Sequence, residues 1–98
     1  MTQDGDEAAD DDAALVRATV GGRAQAFGLL YDRYAPLVRA VCFDATGDLT
    51  GAQDLSQEAF LRAFRKLGRL RKPEQFAPWL IGIAKHVCRE WRRESEEK

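Results

Sequence analysis

Between Phe76 and Trp91 bulky side chains recur at spacings of three and four: Phe76, Trp79, Leu80, Ile83, Ala84, Val87 and Trp91. That spacing gathers them on one side of a helix with 3.6 residues per turn and is incompatible with a strand, whose side chains alternate. The same period recurs upstream. Phe27, Leu30, Tyr31, Tyr34, Val38 and Val41 mark a second helix, and Leu55, Phe60, Ala63, Phe64 and Leu67 a third. Leu15, Val16 and Val20 support a short first helix, capped by Asp12 and ended by Gly21-Gly22. Strand-like alternation is absent, so the expected fold is all-α, a compact bundle of about four helices. A chain of 98 residues has room for one core only.

Breakers and caps divide the chain further. Pro36 lies inside the second helical pattern and predicts a kink or local break. Asp44–Gly51 is dense in turn formers and reads as a loop, with Thr50 and Gln53 as a capping box opening the third helix. Gly68 ends that helix, and residues 68–75 (GRLRKPEQ) form a basic loop. Regular helix resumes between Pro73 and Pro78, since proline is tolerated only in a first turn. Residues 1–11 carry almost no apolar side chain beyond alanine and are expected to be a disordered acidic tail. The folded domain then spans 12–94, with 95–98 opening a linker.

The formal charge of −1 conceals a strong polarity. Residues 1–12 hold six acids (Asp4, Asp6, Glu7, Asp10, Asp11, Asp12) and no base, whereas residues 61–93 hold ten bases against Glu74 and Glu90. In the third helix Arg62, Arg65 or Lys66, and Arg69 share a solvent side; in the last, Lys85, Arg89 and Arg92/Arg93 do the same. Arg69, Arg71 and Lys72 fill the loop between them. Two basic helices joined by a basic loop suit a phosphate backbone. The plainer alternative is a solvated face, but acids are too scarce there for many intrahelical ion pairs. At the start of the third helix Asp54, Gln57 and Glu58 sit one turn apart, with Arg62 four residues after Glu58. They read either as acids favoured by the helix dipole or as a polar patch for a protein partner.

DLSQEAFLRAF (54–64), a basic segment, and FAPWLIGIAKHVCREWRR (76–93) together resemble the second conserved region of bacterial RNA polymerase sigma factors, closest to the extracytoplasmic-function group. AFGLLYDRYAPLVRAV (26–41) and the start near residues 12–18 are similar to the preceding helices of that family. The resemblance implies a transcription initiation factor that docks on the clamp helices of the polymerase beta-prime subunit and recognises and melts the promoter minus-ten element through its non-template strand. Asp54, Gln57 and Glu58, with Arg62 beside them, would meet the polymerase. The segment 68–75 and Lys85, His86, Arg89, Arg92 and Arg93 would meet DNA, with Arg65, Lys66, Arg69, Arg71 and Lys72 extending that surface. A flexible loop between positive helices could hold an unstacked base while the helices hold phosphates. His86 stands where many relatives have asparagine, which leaves base preference open there. Glu90 replaces an aspartate, and Arg92 an apolar residue. The family also needs a second, helix-turn-helix domain that is absent from this chain, so an excised domain is expected, with an anti-sigma factor as a further partner.

Other chemistries fare worse. Cys42, His86 and Cys88 lack paired zinc-ligand spacing and read as two small core thiols and a histidine, so neither metal nor cofactor is expected. There is no nucleophile motif or phosphate loop, and no enzyme is expected. With no signal peptide and no run long enough to span a bilayer, the expectation is a cytoplasmic protein without membrane contact. The competing function is a helical interaction module whose basic face binds an acidic regulatory partner rather than DNA.

Overall fold

Four α-helices follow one another in the computed structural model, which describes residues 11–97: α1 Asp12–Val20, α2 Gln25–Thr46, α3 Leu49–Lys66 and α4 Phe76–Glu97. Short 3₁₀ turns at Leu67–Arg69 and Pro73–Gln75 join α3 to α4. Among the described residues there is no strand, as the periodicity requires. Residues 1–10 of the expected acidic tail, and Lys98, lie outside the described residues. Residues 95–97, expected to open a linker, continue α4. No helix among the described residues is long and apolar enough to cross a membrane.

The boundaries moved where several polar residues competed for one role. Asp11, not Asp12, caps α1: its carboxylate accepts from the Ala14 N–H at 2.8 Å. Asp12 turns instead to α2, where Arg33 donates to it at 2.8 Å and the Tyr34 hydroxyl donates to its other oxygen. Burial first, then this bond, pushes the Tyr34 hydroxyl up to about 12. The expected loop over Asp44–Gly51 shrinks to Gly47-Asp48. Gly47 ends α2 at φ 69°, the left-handed region glycine adopts without cost, and its N–H bonds the Phe43 carbonyl. Asp48 then caps α3 in place of Thr50, accepting from the Gly51 N–H at 2.7 Å. Nor does Pro36 break α2. The carbonyl it leaves without a donor belongs to Asp32, an exposed residue, and packing on α1, α3 and α4 holds the helix together.

The core forms where α2, α3 and α4 meet, with α1 laid across α2 and the Pro73–Gln75 turn. Phe76 is its centre: fully buried, with ring centroids 6.4 Å from Phe27, 5.7 Å from Tyr34 and 6.0 Å from Trp79. Phe27 also meets Phe60 and Phe64 edge to face. Cys42 and Cys88 bring α2 and α4 together as buried free thiols, and burial followed by the neighbouring Cys88 pushes the Cys42 thiol up to about 12.

In α3 the buried side differs from the expected stripe. It consists of Ala52, Ser56, Ala59, Phe60 and Ala63, while Phe64 remains 43% exposed. Small side chains at spacings of four, three and four let α3 lie close to α2, its most extensively packed neighbour. Leu61 and Phe64 are left facing outward by this rotation of the helix.

Candidate functional site

That rotation builds the first surface. On a helix turning 100° per residue, Asp54, Gln57, Leu61, Phe64 and Arg65 share one outward sector. Asp54, Gln57 and Arg65 are exposed, and Leu61 at 43% forms an apolar centre among them. Sequence reasoning took up the polar members and missed Leu61. A leucine one turn after Gln57, off the core period, was the signal. Glu58 and Arg62 stand at the edge of this sector and are bound to each other, Arg62 Nε donating to Glu58 at 2.8 Å.

Arg62 is the main correction to the expected basic stripe. Its Nη2 also donates to Glu90 of α4 at 2.7 Å, so its charge is shared between two carboxylates instead of facing solvent. The hydrogen bond Arg62 donates to Glu90, then the one it donates to Glu58, raises its already high pKa further. Glu90 in turn is held below the usual carboxylate range, chiefly by the Arg62 hydrogen bond. His86 completes the chain, Nε2 to Glu90 Oε2 at 2.9 Å.

The other cations expected to meet DNA form no ion pair among the described residues. Arg65, Lys66, Arg69, Arg71, Lys72, Lys85, Arg89, Arg92 and Arg93 are all exposed. On α4 they make one arc. Lys85, Arg89 and Arg92 line its α2 edge, beside a groove of about 440 Å³ shared with Val41, Asp44 and Cys88. His86 lines the α3 edge, and Arg93 falls between them on the helical wheel. His86 and Cys88 thus turn to different sides of the helix.

At the α3 edge lies a groove of about 400 Å³ walled by Arg62, Lys66, Trp79, Ile83 and His86, with Pro78 and Gly82 along it. A side chain at Gly82 would meet open space, so glycine there keeps the groove wide. Trp79 is half-buried, offering an aromatic surface flanked by cations.

The segment 68–75 departs from the expected flexible loop. Buried Leu67 and half-buried Leu70 pin it to the core, and the Pro73–Gln75 turn rests on α1. It exposes Gly68, Arg69, Arg71 and Lys72 as a short basic rim, followed by exposed Glu74 and Gln75.

The family model for Sigma-70 region 2 matches residues 30–97. The chain is 38% identical over 72 residues to a probable RNA polymerase sigma factor, RfaY, of Xanthomonas campestris, an alignment covering 74% of this chain and 18% of that protein. It is 39% identical over 85 residues to the ECF RNA polymerase sigma factor BldN of Streptomyces coelicolor, covering 82% and 32%. It is 33% identical over 82 residues to the ECF RNA polymerase sigma-E factor of Escherichia coli, covering 82% and 41%. The chain therefore spans less than half the length of each of these relatives. No solved structure gives a significant match.

Proposed function

The chain belongs to the Sigma-70 region 2 family, in its extracytoplasmic-function branch, and from that membership we propose that it is the polymerase-docking and minus-ten-reading part of a transcription initiation factor. In this reading the outward sector of α3, with Asp54, Gln57, Leu61 and Arg65, docks on the beta-prime clamp helices. The α4 arc and the rim at Arg69, Arg71 and Lys72 follow the phosphates of the non-template strand. A base unstacked during melting enters the α3–α4 groove against Trp79, within reach of His86. No catalytic step is assigned to the domain.

The observation that carries this reading is the unpaired basic arc beside an aromatic-walled groove. Unpaired cations hold phosphate without first breaking a protein ion pair, and stacking on an aromatic side chain offsets about 1–3 kcal/mol of the cost of unstacking a base. Phosphate contacts release counterions, so affinity for a single-stranded minus-ten-like oligonucleotide falls steeply as salt rises. Lys85→Ala and Arg89→Ala each reduce the slope of log K against log salt by about 0.7, the value for one contact to single-stranded DNA. The measurement is a salt titration followed by fluorescence anisotropy. Unchanged slopes, or no binding to any oligonucleotide at low salt, favour the alternative in which the same cations receive an acidic anti-sigma-like partner.

A further inference from the structure

Glu90 sits at a junction between two helices. Its Oε1 accepts from Arg62 Nη2 at 2.7 Å, and its Oε2 lies 2.9 Å from His86 Nε2. A carboxylate can only accept, so the ring nitrogen facing it carries the proton. In the neutral imidazole Nδ1 is then the lone-pair nitrogen, and no group among the described residues bonds it. Arg62 reaches across from α3 and holds the carboxylate on its other oxygen, so the rotamer of Glu90 is set by two helices. The Arg62 bond also keeps Glu90 ionised well below neutral pH. The ring is more than half exposed and lines the α3–α4 groove.

We propose that Glu90 and Arg62 are positioning residues that lock His86 in the Nε2–H tautomer, so that the domain selects, at the base His86 meets, an amino group over a keto group. The inference rests on the reading above, in which His86 touches a base of the non-template strand. Adenine and cytosine carry a donor amino group at purine C6 or pyrimidine C4, where guanine and thymine carry an acceptor oxygen. The Nδ1 lone pair takes a hydrogen bond from the first pair and faces another lone pair in the second. The charged groups around the ring are Glu90 on its own helix and Arg62 and Lys66 from α3.

The test uses the full 98-residue chain and minus-ten-like single strands carrying each of the four bases in turn at every position, at pH 8. At one position adenine and cytosine bind about three- to tenfold more tightly than guanine and thymine, the worth of one hydrogen bond. His86→Ala removes the preference and identifies the position. Glu90→Gln, whose amide turns a donor toward one of its two neighbours, brings the ratio close to one, while helix content holds. Nitrogen NMR of the ring shows the Nε2–H form in the unaltered chain and a mixture of tautomers in Glu90→Gln. A full ratio retained in Glu90→Gln, or an Nδ1–H ring in the unaltered chain, overturns the positioning role and leaves the base contact standing. A ratio unaffected by His86→Ala overturns the base contact itself, and the positioning role with it.

Discussion

Replacing Gln57 and Leu61 together by alanine abolishes co-purification of the chain with core RNA polymerase and leaves its circular dichroism unchanged. Both side chains are exposed on α3, so their loss opens no cavity, and alanine is the strongest helix former. An apolar centre ringed by polar side chains is the arrangement in which a few residues dominate an interface, and truncating two such residues costs on the order of 3 kcal/mol or more. That corresponds to an affinity loss of roughly a hundredfold or more, enough to empty a pull-down. Glu58 contributes less, because its carboxylate is engaged by Arg62. Undiminished recovery of the doubly substituted chain with polymerase moves the docking surface off this sector of α3.

The largest effect on stability comes from Phe76→Ala. Phe76 is fully buried and touches the rings of Phe27, Tyr34 and Trp79, so its removal leaves a cavity between α2 and α4. The expected cost is about 3–5 kcal/mol, against about 5–15 kcal/mol for the whole stability of a typical domain. For a domain of this size that lowers the melting temperature by about 15 °C or more. Trp91 lies on the same face of α4 but is only half-buried and outside the core cluster. Trp91→Ala therefore costs much less. Thermal and urea melts of the two variants check the order, and a larger loss at Trp91 would place the centre of the core elsewhere.

The helices were legible because their apolar positions repeat over three or more turns, and burial of one face decides helix over strand. Caps were less so. Asp11 and Asp12, like Asp48 and Thr50, offer competing side chains within one turn, and only the tertiary partner decides between them: Arg33 and Tyr34 claim Asp12. The stripe of α3 was misjudged because large apolar residues were weighted over small ones. Phe60, Ala63 and Leu67 of the expected stripe are buried, but close approach of α2 adds Ala52, Ser56 and Ala59 and leaves Phe64 exposed. Proline at position 36 was read as a kink or local break because sequence alone does not show the packing that carries the helix through it.

At the site, the basic residues and the acidic start of α3 were visible from composition by segment. The partnership of Arg62 with Glu90 was not, since the two lie 28 residues apart on different helices. The Glu58–Arg62 and His86–Glu90 pairs share the same i, i+4 spacing, yet only the fold joins them into one chain. Near-neutral total charge is likewise uninformative here. It averages an acidic start with a basic arc whose members form no ion pair among the described residues.

The most direct test of the account places a photo-crosslinking residue at Arg71, on the exposed rim between α3 and α4, and assembles that chain with core polymerase and a promoter. Crosslinks confined to the non-template strand within the minus-ten element are the expected result. Crosslinks to the template strand, to duplex outside the minus-ten element, or to polymerase alone would contradict it.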